Sequence, residues 1–137
     1  MSTRAFIIEK TTNGTSRGIY CHHDGYISGV GRTLNKYYRD PFVVSALIAL
    51  GGLSSLGQSL GSKVDFETYS GNEQCVAYHR DRGEDLVITN YMGGSQDDEE
   101  YTYMYDHSTQ KWYIKKGSGR SKNWVLLDSI IEKDPFG

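Results

Sequence analysis

The sequence lacks the features that mark a membrane-spanning or exported chain. Its longest apolar stretch, residues 42–56, is broken by Gly51 and Gly52 and is too short to cross a bilayer as a helix. No secretory leader is visible, because residues 1–4 lead directly into a strand-like run. We therefore expect a cytoplasmic protein with no membrane partner.

An excess of charge of one sign is also missing. The 137 residues include 15 Lys and Arg against 17 Asp and Glu, a formal net charge of −2. General polyanion binders are usually strongly basic, so this balance argues against that class and leaves only a local basic patch open. The length fits one domain, residues 1–137, that can build a core without disulfides or metal.

Cysteine is scarce, whereas tyrosine is abundant. Cys21 and Cys75 are the two cysteines, and in the cytoplasm we expect them to be buried, reduced thiols. The 11 tyrosines and 2 tryptophans have two interpretations. One is that they form a binding face, which exposed aromatic side chains suit. The other is that they are ordinary strand residues, since tyrosine is common in strands.

The N-terminal part predicts a β-hairpin. Residues 5–10 and 17–22 are strand-like and flank Asn13-Gly14, a dipeptide typical of two-residue hairpin loops. Such a loop pairs Ile8 with Ile19. It puts four side chains on one face, the core face: Phe6, Ile8, Ile19 and Cys21. Ile7 and Tyr20 are expected on the other face, as are Ala5 and His22.

Helices are predicted next. Residues 30–38 have helical apolar spacing, and Asp40-Pro41 is an N-cap followed by a proline at the first helical position. The second helix, residues 42–50, is apolar almost all round, which predicts that it is buried and ends at Gly51. Residues 53–57 read as a short helical turn, and residues 58–72 as a loop.

The second half predicts short strands and a final helix. Residues 75–78 and 86–89 are strand-like, and residues 101–106 and 111–116 form a hairpin with a four-residue loop. That loop pairs Tyr103 with Ile114 and Tyr105 with Trp112. Residues 117–123 read as a linker and residues 124–133 as a helix. The fold class is α+β, a mostly antiparallel sheet with three helices packed on one side.

Metal and enzyme sites are weakly indicated. Cys21, His23, Cys75 and His79 are zinc-ligand types, but their spacing lacks the two compact pairs of a structural zinc site. Cys21 is predicted to be buried, which opposes a thiolate nucleophile. No G-x-S-x-G elbow or phosphate-binding loop is present. We expect no metal, no cofactor and no catalytic residues, with a thiol or zinc enzyme as the third alternative.

Charged and aromatic stretches supply the other candidates. The run Arg80-Asp81-Arg82-Gly83-Glu84 is either a tight turn braced by its own ion pairs or an arginine pair presented to a partner. Residues 97–100 are acidic. A basic stretch interleaved with aromatics, a weak nucleic-acid signal, comprises Lys111, Trp112, Tyr113, Lys115, Lys116, Arg120 and Lys122.

Three segments carry a resemblance to a known family. They are YCHHDGY at residues 20–26, LSSLG at 53–57 and CVAYHRDRGE at 75–84. Together they resemble a family of small, mostly uncharacterised phage, prophage and plasmid proteins with Y-C-H-W-D-G-Y, L-S-S-L-G and C-x-x-Y-x-R-D-R-G-E motifs. The likeness covers about residues 3–85, and His23 departs from it where the family has tryptophan.

The resemblance implies an origin in a mobile genetic element. Small accessory proteins of that origin often bind and disable a host defence system, CRISPR effectors included. Our leading hypothesis is a non-enzymatic, anti-CRISPR-type inhibitor that acts by occlusion. The first alternative is a nucleic-acid- or nucleotide-binding module. The candidate partner-binding residues are His22, Asp24, Tyr26, Arg80, Asp81, Arg82, Glu84, Tyr103, Tyr105 and Trp112.

Overall fold

The computed structural model describes residues 3–69, 71, 73–90, 101–116 and 124–133. Within them the strands are β1 (Ala5–Lys10), β2 (Ser16–Cys21), β3 (Leu53–Ser55), β4 (Val76–Ala77), β5 (Thr89–Asn90), β6 (Tyr101–Asp106), β7 (Lys111–Lys116) and β8 (Val125–Leu126). The α-helices are α1 (Arg32–Tyr37), α2 (Pro41–Ala49), α3 (Tyr78–Arg82) and α4 (Leu127–Lys133). A π-helical turn at Ile27–Gly31 precedes α1.

The strands form one sheet with β1 at its centre. Their order is β4-β3-β2-β1-β6-β7-β8, and β5 pairs with β2 beside this path. The strand β1 runs antiparallel to β2 and parallel to β6, and β3 runs parallel to β2. The other pairs are antiparallel. The predicted α+β class is confirmed, and the sheet contains two parallel pairs that the sequence did not indicate.

The register of the first hairpin differs from the prediction by one residue. Ile7 pairs with Ile19, and Phe6 pairs with Tyr20. The reason is the loop, where the Thr11 amide bonds to the carbonyl of Thr15 and only Gly14 takes a left-handed conformation. A two-residue turn would need two such residues. The side chains of β1 therefore exchange faces relative to the prediction, whereas those of β2 lie as predicted. Ala5 and Ile7 share the core face with Ile19 and Cys21, and Phe6 and Ile8 lie with Tyr20 on the opposite face.

The segment around α2 was predicted only in part. Asp40 accepts a hydrogen bond from the amide of Phe42 and Pro41 opens the helix, as expected. The helix is not buried all round, since Phe42 is 85% exposed. After Gly51, which has φ +78°, the chain enters β3 instead of the predicted helical turn. Pairing with β2 on one side and β4 on the other stabilises this short strand.

The second hairpin is confirmed in bounds and register. Tyr103 faces Ile114 and Tyr105 faces Trp112 across β6 and β7. The final helix begins later than predicted, because Val125–Leu126 first pairs with β7 as β8. The short helix α3 and the π-helical turn were not predicted.

The three predicted helices supply side chains to one core on the inner face of the sheet. That core contains Leu34, Tyr38, Val44, Leu47, Ile48 and Leu127 from the helical segments, packed with Ala5, Ile7, Ile19, Cys21, Tyr103, Tyr105, Trp112 and Ile114 from the sheet. None of the helices described here is both long enough and apolar enough to cross a bilayer.

Candidate functional site

The fold brings the three motifs together at one edge of the sheet. Leu53 of β3 pairs with Cys21 of β2 on one side and with Ala77 of β4 on the other. Residues 20–26, 53–57 and 75–84 are therefore neighbours, although up to 64 positions separate them in the chain. We call this region the motif edge. Five of the ten predicted partner-binding residues are exposed or half-buried there: His22, Asp24, Tyr26, Arg82 and Glu84.

The two cysteines lie beneath the motif edge as core thiols. Cys21 and Cys75 are both fully buried. Burial, followed by the proximity of Cys75, raises the pKa of Cys21 to about 12. Burial also raises the pKa of Cys75, and its sulfur accepts a hydrogen bond from the Gly57 amide at 3.4 Å. Because neither thiol ionises readily, neither can supply a nucleophilic thiolate near neutral pH.

Arg80 and Asp81 form an internal clamp. Two guanidinium nitrogens of Arg80 donate to the two carboxylate oxygens of Asp81, at 3.0 and 3.2 Å. The carboxylate also accepts from the backbone amides of Val64 and Ala77. Burial alone would raise the pKa of Asp81, but these hydrogen bonds outweigh it and lower the pKa. Of the two interpretations of this run, bracing therefore fits Arg80 and Asp81.

The same clamp secures the loop between β3 and β4. Arg80 donates further hydrogen bonds to the carbonyl oxygens of Leu60 and Cys75, both at 2.7 Å. The helix α3 then ends at Gly83, which takes a left-handed conformation with φ +77°. Residues two positions apart on a helix lie on nearly opposite sides, roughly 200° apart, so Arg80 faces inward and Arg82 faces solvent.

Arg82 and Glu84 remain accessible. Their side chains are 51% and 46% exposed and pair with each other at 2.9 Å. The Arg82 guanidinium also lies 4.9 Å from the ring centre of Phe66, in a cation–π contact. Phe66 in turn packs on Tyr78, with ring centres 5.6 Å apart. These two charged residues therefore belong to an aromatic and polar surface.

Two neighbouring histidines extend this surface. The hydroxyl of Tyr20 lies 2.6 Å from Nδ1 of His22, and the rings of His22 and His23 meet edge to face at 4.7 Å. Burial, followed by the nearby His23 and Arg4, lowers the pKa of His22. The exposed His23 donates from Nδ1 to the carbonyl oxygen of Ser54 at 2.7 Å. His23 is thus a surface group and not a buried anchor.

Tyr78 joins the two parts of the surface. Burial raises the pKa of its phenol, while an interaction with the side chain of Ser54 opposes that shift. A chain of contacts thus runs across the motif edge, and we call it the motif face: Tyr20, His22, His23, Ser54, Tyr78, Phe66, Arg82 and Glu84. Of this set, His22, Arg82 and Glu84 were predicted to bind a partner. Phe66 lies outside the three motifs and was not predicted, because the loop that contains it has no regular pattern.

Asp24 and Tyr26 lie at the margin of the motif edge. Both are exposed, and the Tyr26 hydroxyl donates to the Asp24 carboxylate at 3.1 Å. Asp24 has φ +58°, and its carbonyl oxygen accepts from the Val30 amide. The pair therefore forms the turn that leads from β2 into the π-helical turn and is accessible from solvent.

Three of the predicted partner-binding residues are core residues, which corrects the prediction. Tyr103, Tyr105 and Trp112 are 0%, 0% and 3% exposed. Their polar atoms donate to the backbone carbonyls of Gly25, Arg39 and Tyr38, respectively. These bonds satisfy the polar groups inside the fold, so the aromatic face of β6 and β7 packs against the helices and not against a partner. Asp81 is likewise buried.

The basic stretch at residues 111–122 does not present its tryptophan to solvent either. Trp112 is buried, and Lys115 is 3% exposed with its ammonium 5.1 Å from the Trp124 ring centre. Lys111 is exposed. Arg120, Lys122 and the acidic run at 97–100 lie outside the described residues. The part that is described provides no row of exposed aromatics for stacking bases.

The four zinc-ligand types do not converge. His79 Nδ1 donates to the carbonyl oxygen of Glu84 at 2.7 Å, and His23 is bonded to Ser54, while both thiols are buried. Across the described ranges, no three His, Cys, Asp or Glu side chains are grouped so that they could hold a metal ion.

A second cluster, which was not predicted from the sequence, is centred on Glu9. Glu9 is 2% exposed and accepts hydrogen bonds from Ser45 at 2.7 Å, His107 at 2.8 Å and Arg17 at 2.6 Å. Burial tends to raise the pKa of Glu9, but these three bonds together lower it. One signal was available: Glu9 follows Ala5 and Ile7 at every second position of β1, on the face that is buried.

Comparison with known proteins adds no assignment, since no protein-family model, curated protein or solved structure matches this chain.

Proposed function

We propose that this protein binds a component of a bacterial defence system and inhibits it by occlusion, with the motif face as its contact surface. The leading example is an anti-CRISPR-type inhibitor that acts in the cytoplasm of the host cell. The observation that carries the proposal is the convergence of three chain-distant motifs on one accessible face. The resemblance of those motifs to a mobile-element family supplies the class of target.

The chemistry of the motif face favours a protein partner. Tyrosine and arginine, together with tryptophan, are enriched among the residues that contribute most at protein interfaces. Here Tyr78 and Arg82 lie in the same contact chain, joined by Phe66. The Arg82–Glu84 pair leaves the face close to neutral. A surface that follows the backbone of a nucleic acid, with its many phosphates in a row, would instead carry several unpaired cations along its length.

Occlusion also fits what lies beneath the face. The thiols of Cys21 and Cys75 are protonated and buried, and the carboxylate of Asp81 is occupied by Arg80 and backbone amides. These side chains are hydrogen-bonded to the backbone of the motif edge and its neighbouring loop. A surface that is already supported by such bonds loses less conformational entropy on binding, which favours stable complexes.

A phage-plating assay tests the proposal. Strains that each carry one defence system would express the protein and be challenged with a phage that the system restricts. We expect plating to be restored in at least one strain. The variant R82A combined with H23A should lose this effect, because both side chains are exposed on the motif face.

The matched control is K111A, an exposed substitution on β7, away from the motif edge. It should restore plating as the wild type does, and circular dichroism should show that all variants are folded. Failure to restore plating in any strain of the panel would contradict the proposed function. Full activity of the double variant would contradict the assigned surface.

A further inference from the structure

The Glu9 cluster lies at the floor of a pocket of about 420 Å³ that is lined by residues with polar side chains. That size is within the ~300–1,000 Å³ of pockets that hold small ligands. The pocket is open to solvent, and its lining includes Glu9, Arg17, Ser45, His107, Asn90 and Thr12. The motif face does not contribute to it.

The pocket lies at the carboxyl ends of two neighbouring parallel strands. Glu9 is the last residue but one of β1, and His107 follows β6 directly. Glu9 of β1 pairs with Arg17 of β2, and Ala5 of β1 pairs with Cys21 at the motif edge. Glu9 and Ala5 are four residues apart on the strand, which corresponds to ~13 Å at about 3.3 Å per residue. The two sites are therefore separate.

The carboxylate of Glu9 organises the pocket and is itself fully occupied. Its Oε1 accepts from the Ser45 hydroxyl and from Nε2 of His107, and its Oε2 accepts from Nε of Arg17. A buried carboxylate that already holds three donors has little capacity to bind a cation or a further donor. Its effect is to fix Arg17 in place and to balance the charge of the guanidinium.

The groups still available to a ligand are mainly donors. Arg17 uses Nε for Glu9, and its side chain is 41% exposed, so its terminal nitrogens are accessible from the pocket. Asn90 and Thr12 are exposed on the same lining and add an amide and a hydroxyl. A guanidinium with convergent amide and hydroxyl groups matches the oxygens of a phosphate group, to which arginine binds through parallel hydrogen bonds.

We infer that this pocket is a binding site for a phosphate group, either free inorganic phosphate or the phosphate of a small molecule such as a nucleoside monophosphate. Arg17 is the main ligand, Asn90 and Thr12 assist, and Glu9 positions Arg17 from below. The inference does not depend on the proposed inhibitory function, since it uses residues at the opposite end of β1 from the motif edge.

Nuclear magnetic resonance titration of the full chain tests the inference. The probes are inorganic phosphate, adenosine monophosphate and adenosine. We expect both phosphate probes to cause saturable shifts of the backbone amides of Thr12, Arg17, Asn90 and His107, with no such shifts from adenosine. Tighter binding of the monophosphate would identify a nucleotide-type ligand, and equal binding would identify the phosphate group alone.

Variants assign the binding to this pocket. R17K keeps a cation for Glu9 but loses the planar fork, so we expect the phosphate dissociation constant to rise at least ~5-fold. N90A does not change the Glu9 cluster and replaces R17K as the test if R17K fails to fold. We expect it to raise the phosphate dissociation constant ~3-fold, because one hydrogen bond is lost. R82K, at the motif edge, should bind as the wild type does.

Absence of saturable shifts with both phosphate probes at millimolar concentration would overturn the inference. So would equal shifts with adenosine, or phosphate binding that neither R17K nor N90A weakens.

Discussion

The hydroxyl of Tyr38 lies 3.3 Å from the sulfur of Cys75 inside the core. The same hydroxyl donates to the carbonyl oxygen of Gly57 at 2.7 Å. Since Tyr38 follows α1 directly, one side chain connects that helix to two of the three motifs. The residues of the three motifs thus fall into two sets. One set is buried and supports the motif edge, and the other is exposed to solvent.

The first prediction concerns the thiols. In the native, metal-free protein, Cys21 and Cys75 should react with a disulfide reagent at least ~100-fold more slowly than in the urea-unfolded chain, because reaction needs local opening of the core. Titration with Ellman's reagent at pH 8 measures this. The unfolded sample is the control and should give two thiols per chain. Rapid reaction of both cysteines in the native protein would contradict their assignment to the core.

The second prediction concerns the clamp. D81N removes the charge that faces Arg80, and it should lower the free energy of unfolding by ~3 kcal/mol, as expected when one partner of a buried ion pair is lost. The control E84Q alters an exposed pair and should cost less than ~0.5 kcal/mol. Urea unfolding measures both. Similar values for the two variants would show that Asp81 does not have the structural role assigned to it.

The third prediction concerns two motif glycines. A Cβ on Gly57 would lie 2.1 Å from the backbone carbon of Gln74, whereas a Cβ on Gly83 would meet nothing within 4 Å. G57A should therefore destabilise the protein by more than ~3 kcal/mol or prevent folding, and G83A should cost ~1 kcal/mol for its left-handed backbone. Thermal unfolding compares them. Equal melting temperatures would contradict the close approach at Gly57.

The fourth prediction concerns pH. The pKa of Glu9 is lowered from 4.5 in the folded protein, so this carboxylate stabilises the fold above the unfolded pKa. That contribution is lost as the pH falls through the lower, folded pKa. Between pH 6 and pH 3, E9Q should therefore lose less unfolding free energy than the wild type does. Urea unfolding at both values tests this, and equal losses would show that Glu9 is not charged and bonded as described.

Local patterns predicted the hairpin of β6 and β7 but not the register of β1 and β2. Tyr103 and Tyr105 alternate regularly and their loop length fixes the pairing, so sequence was sufficient. In the first hairpin, the dipeptide Asn13-Gly14 suggested a two-residue turn, yet the hydrogen bonds of Thr11 and Thr15 close a longer loop. Competition between turn types depends on such side-chain bonds, which the dipeptide alone does not reveal.

Tertiary pairing explains why β3 was not predicted. The strand at Leu53–Ser55 has three residues, too few for a periodic pattern, and it is extended because β2 and β4 flank it. The direction of the two arginines has the same origin. Arg80 turns inward to the carbonyl of Leu60 and Arg82 outward to Phe66, contacts that depend on how the loop before β4 is placed.

The central claim is stoichiometric occlusion through the motif face. Titration of the purified protein against a responsive defence complex, with the residual activity of the complex as the readout, tests it most directly. We predict that inhibition saturates near a fixed molar ratio and that R82A combined with H23A weakens it. Complete inactivation at about one hundredth of the target concentration would indicate turnover, since enzymes commonly complete ~1–10³ cycles per second, and would contradict occlusion.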